Sequence, residues 1–128
     1  MTQARIEHTN ITVSDPQATA DMLCNLFGWK IRWEGPSLGG GRTIHVGNEL
    51  DYSAVYRPPE LSGESRQDNY GVAGGLNHIG VVVEDLDATE ARIREAGFDT
   101  FNHADYEPGR RYYFHHADGI EFEVVSYC

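Results

Sequence analysis

The sequence predicts an α+β protein made from two copies of one βαβββ unit, and three observations lead there. Two stretches repeat, His8–Asp15 (HTNITVSD) and His78–Asp85 (HIGVVVED), each opening on histidine and closing on aspartate. Each is followed by a helical pattern that stops at glycine, in Leu26-Phe27-Gly28-Trp29 and in Glu95-Ala96-Gly97-Phe98. Each half then continues in short β-branched and aromatic runs broken by turn residues. Self-similarity on this scale means two copies of one supersecondary unit. The boundaries it suggests are about 4–57 and 76–127, joined by a linker of about 58–75, within a single domain of 128 residues.

The elements follow in order. In Ile6–Val13, Thr9, Ile11 and Val13 share one face and His8, Asn10 and Thr12 the other, since strand side chains alternate. Ser14 or Asp15 caps a helix with Pro16 at its first position, where the missing N–H is harmless. Ala18, Met22, Leu23, Leu26 and Phe27 form its apolar stripe, and Gly28 ends it. Trp29–Trp33 reads as a strand and Glu34–Gly41 as a loop. The three glycines of that loop lack the Lys-Ser or Lys-Thr of a phosphate loop and precede a strand, so they read as a flexible hairpin or a lid. Arg42–Val46 and Asp51–Tyr56 are strands around a turn at Gly47–Asp51, and Tyr52, Ala54 and Tyr56 share a face. Arg57–Gly75 is irregular, with two prolines and four glycines.

The second copy opens with the strand Asn77–Val83. Its Ile79, Val81 and Val83 face the core, and His78, Gly80 and Val82 face away. A helix spans Leu86–Ala96, with Leu86, Ala88, Ala91 and Ile93 as its apolar positions and Gly97 as its stop. Phe98–Phe101 is extended, Tyr106–Gly109 a turn carrying Pro108, Arg111–His115 a strand, and Ala117-Asp118-Gly119 a hairpin turn. In the closing strand Ile120–Ser126, Ile120, Phe122 and Val124 face the core, while Glu121, Glu123 and Val125 face away.

Composition bounds the function. A formal net charge of −10 argues against nucleic acid, which needs a basic face, and otherwise reads as solubility. No apolar run approaches the length of a membrane span, and no apolar signal segment opens the chain. Cys24 lies in a helix and Cys128 ends the chain, so nothing demands a disulfide and the expected location is cytoplasmic.

Several motifs together carry a resemblance. They are the opening H-x-x-[IV]-x-V-x-D of both copies, the L-F-G-W helix end, and the closing A-D-G-I-E-F-E-V-V. With two βαβββ units, the chain resembles the vicinal oxygen chelate superfamily, the glyoxalase/bleomycin resistance/dioxygenase fold. That superfamily also holds methylmalonyl-CoA epimerase and fosfomycin-modifying transferases. The resemblance covers nearly the whole chain. It implies that paired modules form a curled mixed sheet with a cleft, and that metal ligands come from the first and last strands of the units.

Carried over residue by residue, the resemblance matches the first-strand ligand positions to His8 and His78, and the last-strand position to Glu123. The fourth position falls on Ala54, which cannot bind metal, so the four-ligand set of glyoxalase I is incomplete. Two histidines and one carboxylate leave coordination positions open and suit a divalent ion, with Fe, Mn, Ni and Zn not distinguished. Tyr52, Tyr56, Trp33 and His45 are the residues to line a substrate pocket. Arg57, Arg110 and Arg111 are the cations available to an anionic group, and only one of the adjacent His115 and His116 can face the cleft. The expected function is a small metal-dependent enzyme acting on a small oxygenated molecule. The alternative is a metal-free, bleomycin-resistance-like protein that sequesters a ligand. The expected assembly is a homodimer, with no nucleic-acid or membrane partner.

Overall fold

The structure, a computed structural model, describes residues 2–63, 69–106 and 109–128, and for Leu38 the backbone alone. The chain divides into two compact units, Met1–Ser62 and Gly63–Cys128. The first contains β1 (His8–Thr12), α1 (Pro16–Phe27), β2 (Lys30–Pro36), β3 (Arg42–Gly47) and β4 (Tyr52–Arg57). The second contains β5 (Ile79–Val82), α2 (Leu86–Glu95), β6 (Thr100–Tyr106), β7 (Gly109–His115) and β8 (Glu121–Ser126). The fold is α+β, with two mixed four-stranded sheets ordered β1-β4-β3-β2 and β5-β8-β7-β6. In each sheet the first strand runs parallel to the last and the other pairings are antiparallel.

Both helices start as the sequence requires. The Asp15 carboxylate accepts from Ala18 N at 3.1 Å, and Asp85 repeats this with Ala88 N at 3.0 Å. Pro16 opens α1, and Gly28 closes it at φ 70, a left-handed conformation that suits glycine. The buried face of α1 differs from the expected stripe. Pro16, Thr19, Ala20, Leu23 and Leu26 are buried, whereas Ala18 is exposed and Met22 and Phe27 are half-buried. The helix packs on β3 and β4, where Ile44, Val46 and Val55 are buried. In α2 the buried residues are Leu86, Thr89 and Ile93, with Ala91 exposed. Its sheet offers Val81, Tyr112, Phe114, Phe122 and Val124 as core, and the Tyr112 hydroxyl donates to Leu86 O at 2.9 Å. The threonine in each stripe explains the shift. Thr19 and Thr89 are small enough to lie against a sheet, and the Thr89 hydroxyl is satisfied by Asp85 O at 2.8 Å.

Strand lengths also depart from expectation. β2 runs on through Gly35 and Pro36, and Pro36 pairs with Arg42, while the Arg42 guanidinium meets Glu34 at 2.6 Å. The glycines after it make a tight hairpin, with Gly39 and Gly40 at positive φ. A Cβ on Gly41 would lie 2.4 Å from Arg57 O, so glycine is required there by close backbone approach. β6 extends to Tyr106 across a bulge between Phe101 and Ala104, with Asn102 at φ 53. The expected turn carrying Pro108 lies outside the described residues. β5 begins one residue after His78.

The corrected helix face gives a direct test. Leu23→Ala should cost about 2–5 kcal/mol in denaturant unfolding, while Ala18→Ser should change stability by less than about 0.5 kcal/mol. Comparable losses at both positions would contradict the face described.

Candidate functional site

Unit 2 gathers its polar residues on the sheet face opposite α2. Parallel pairing sets Gly80 beside Glu123, and antiparallel pairing sets Tyr113 beside Glu123 and His115 beside Glu121. His78 stands between two carboxylates, with Nδ1 at 3.6 Å from Glu121 Oε2 and Nε2 at 3.6 Å from Glu123 Oε2. Glu123 is held firmly: the Tyr113 hydroxyl donates to Oε2 at 2.6 Å and Arg111 Nη1 to Oε1 at 3.3 Å. The hydrogen bond to Glu123, reinforced by burial, pushes the Tyr113 hydroxyl well above the usual phenol range, so its proton stays in place. Glu121 Oε1 lies 3.5 Å from His115 Nε2, and Tyr70 donates its hydroxyl proton to Glu121 Oε2.

Unit 1 carries a row of rings on the equivalent face. His8 stacks on Tyr52 at 4.9 Å between centroids, Tyr52 on His45 at 4.5 Å, and His45 tilts against Trp33 at 5.1 Å. A bulge between Ile31 and Trp33 accompanies the Arg32 guanidinium 4.6 Å over the Tyr52 ring. The Glu7 carboxylate takes a hydrogen bond from His8 Nδ1 at 2.9 Å and one from the Tyr52 hydroxyl at 3.3 Å. The bond to His8 is the main reason Glu7 lies below the usual carboxylate range. Burial, then the neighbouring His8 and Arg32 charges, push the His45 imidazole down.

The expected site residues divide between the units. His78 and Glu123 come together in unit 2. His8, Trp33, His45 and Tyr52 share the ring row of unit 1, with Trp33 half-exposed. Tyr56 lies farther along β4, in register with Thr12 and Thr43. Ala54 is buried between its register partners Asn10 and His45. Among the described residues, no group of three or more His, Cys, Asp or Glu side chains is gathered to hold a metal ion. Of the arginines, Arg57 donates to Ser14 O at 2.6 Å, Arg110 to Asp87 at 3.0 Å, and Arg111 to Glu123. His116 is buried, its Nδ1 accepting from Asp118 N at 3.0 Å, and burial pushes its imidazole down, so His115 is the one on the polar face. Tyr70 and Tyr113 were not visible as site residues. For Tyr113 the signal was its odd-numbered place in β7, which alternation puts on the face of Glu123. Tyr70 lies in an irregular segment with no period to read.

The donor chemistry fits a cation in unit 2. A carboxylate only accepts, so the contact of His8 Nδ1 with Glu7 leaves Nε2 as the open nitrogen of that ring, while His78 has each ring nitrogen 3.6 Å from a carboxylate oxygen. With its proton on Nδ1, His78 turns the Nε2 lone pair toward Glu123 Oε2 at 3.6 Å. In that form His78 and Glu123 would be the residues of this unit to hold a divalent ion.

Two sheets of this topology, repeated in tandem, define the class. The chain belongs to the glyoxalase/bleomycin resistance protein/dioxygenase superfamily, whose sequence model matches residues 5–124. Its structure is similar to a glyoxylase/bleomycin resistance protein/dioxygenase domain from Frankia sp. EAN1pec, at 20% identity over 98% of each chain and a TM-score of 0.81. It is similar to the fosfomycin resistance protein FosX from Mesorhizobium loti, at 20% identity over 97% of this chain and 92% of that one, TM-score 0.70. A variant of FosX from Listeria monocytogenes, complexed with Mn(II) and 1S,2S-dihydroxypropylphosphonic acid, matches at 18% identity over 97% and 93%, TM-score 0.72. At these identities the likeness is one of fold. No curated protein matches the chain. No helix among the described residues is long and apolar enough to cross a membrane.

The ring row yields a titration test. His45 should titrate below its ordinary 6.5 by NMR, and Arg32→Gln should raise its midpoint by removing a like charge. In the window just below 6.5 the unfolded chain binds the proton that folded His45 refuses, so this group makes stability rise with pH there. A midpoint above 6.5 would contradict the burial described.

Proposed function

We propose that the chain is a small metal-dependent enzyme of the vicinal oxygen chelate type, with a divalent ion held by His8, His78 and Glu123. The observation that carries the reading is the approach of His78 Nε2 to Glu123 Oε2 at 3.6 Å, which in the Nδ1–H tautomer turns two acceptors toward one another with room for a cation. The Mn(II) complex of a protein with this fold supports the choice of a divalent ion, here Fe, Mn, Ni or Zn. When bound, the ion supplies Lewis-acid or oxygen-activating chemistry to a small oxygenated molecule.

The chain's own residues do the rest. Tyr113 keeps its proton and fixes Glu123 Oε2, while Arg111 holds Oε1, so the carboxylate is oriented before anything binds. Trp33, His45, Tyr52 and Tyr56 offer an aromatic face to the substrate, and half-exposed Trp33 has surface free to stack.

A second reading also has an observation in its favour. Arg111, almost buried at 3.3 Å from Glu123, already gives that carboxylate a cation, as a metal-free ligand-binding protein would. Calorimetric titration with Mn(II), Fe(II), Ni(II) and Zn(II) separates the two. The enzyme reading expects stoichiometric binding at micromolar affinity or better, lost in His78→Ala and in Glu123→Ala. Absence of binding by the wild-type chain would hand the function to the sequestering protein.

The triad takes one histidine from unit 1 and two ligands from unit 2, so it requires two units to pair, within a chain or between chains. We favour a homodimer with a shared site, because two-fold dimers are the commonest assembly and paired chains cover exposed sheet edges. His8→Ala and Glu123→Ala chains, unfolded and refolded together, should then regain metal binding in mixed dimers. If heterodimers form yet bind no metal, each site is built within one chain.

A further inference from the structure

We infer that Tyr70 and Glu121 form a relay behind His78 that fixes its Nδ1–H tautomer and so reserves Nε2 for the ion. The inference takes its functional meaning from the metal-site reading, but the tautomer is a property of the metal-free protein.

Tyr70 belongs to the irregular stretch before β5, and backbone turns hold that stretch. Val72 N donates to Asn69 O at 3.2 Å, Gly75 N to Val72 O at 2.9 Å, and the Asn69 amide to Leu76 O at 3.2 Å. The phenol oxygen thereby lies 3.1 Å from His78 Nδ1 while its hydroxyl donates to Glu121 Oε2. A phenol has one proton, and a carboxylate can only accept it. Spent on Glu121, that proton is not available to the imidazole, so toward Nδ1 the phenol oxygen can only accept. The nitrogen facing it must carry hydrogen. A neutral imidazole has a single N–H, and Nε2 is therefore left with its lone pair turned to Glu123.

The surroundings hold this arrangement. Glu121 has its other oxygen at 3.5 Å from His115 Nε2, and its side chain is 14% exposed. The ring of His78 meets Tyr113 edge-on at 5.6 Å between centroids, which limits its rotation. In the opposite tautomer, Nε2–H would donate to Glu123 and close the gap without any ion, and Tyr70 would turn its proton from Glu121 to Nδ1. The hydroxyl of Tyr70 thus decides between an open and a closed site. Tyr70 and Glu121 are positioning residues, acting on the ion only through His78.

The test uses the full chain with 15N-labelled histidine, without metal, at a pH where the ring is neutral. Long-range 15N–1H NMR should show the Nδ1–H form of His78 in the wild type. Tyr70→Phe keeps the half-exposed ring and removes only the hydroxyl. It should move His78 toward the Nε2–H form and weaken Zn(II) binding about 10- to 100-fold, with an unchanged circular dichroism spectrum. Glu121→Gln should shift the tautomer in the same direction and serves if Tyr70→Phe folds poorly. A wild-type Nε2–H tautomer would overturn the relay even if Zn(II) binds. So would a Tyr70→Phe variant with unchanged tautomer and affinity. A Tyr70-dependent Nδ1–H tautomer in a chain that binds no Zn(II) would uphold the relay and overturn the metal reading instead.

Discussion

The parallel pairing of each unit's first strand with its last governs everything else. Alternation in a strand leaves one face for the helix and one for chemistry, and pairing in register stacks like with like. Val81 and Val124 are register partners on the helix face, and Gly80 and Glu123 are partners on the other. Gly80 leaves open space beside the carboxylate, since a Cβ there would meet nothing within 4 Å. A slip of one residue would bury Glu121 and Glu123 against α2 and expose Phe122. The large burial penalty of an ionised carboxylate makes that slip prohibitive. The core therefore fixes the site: Phe122 and Val124 inward means Glu121 and Glu123 outward.

The polar face so created is a network in which each carboxylate has several polar partners. Glu123 meets a phenol, a guanidinium and an imidazole, and Glu121 meets a phenol and two imidazoles. Both carboxylates are mostly buried, so each contact acts in a medium poorer than water and is correspondingly stronger. Arg111 bears most on function. Its Nη1 holds Oε1 of Glu123, while Oε2 accepts from the Tyr113 hydroxyl and faces His78 Nε2. A guanidinium and a metal ion can share a carboxylate in this way, one on each oxygen, and the two readings of function differ over whether the second cation is present.

What was legible in the sequence was what periodicity and punctuation encode. The repeat at His8 and His78, a helix cap at Ser14 or Asp15, Gly28 and the inward Phe122 and Val124 all follow from residue type and spacing. On the helices Leu23, Leu26, Leu86 and Ile93 are buried as read, but Thr19 and Thr89 were left off their faces because they are polar by type, though buried here. Bulges at Ile31/Trp33 and Phe101/Ala104 break alternation, so the strands on either side looked shorter than they are. Of the candidate site, His78 and Glu123 were named from their positions in the motif, and the structure brings their side chains to 3.6 Å. Tyr70 was not, because only tertiary contact brings an irregular segment's tyrosine to a strand's histidine. The aromatic residues Trp33, His45 and Tyr52 were named one by one, and their stacking into a row required the strand register.

Anomalous diffraction from crystals grown with Mn(II) bears most directly on the central claim, that the gap between His78 and Glu123 is a cation site. The account predicts one strong peak within coordinating distance of both His78 Nε2 and Glu123 Oε2. A well-ordered site with His78 and Glu123 in contact as described, and manganese absent or bound elsewhere, would contradict it.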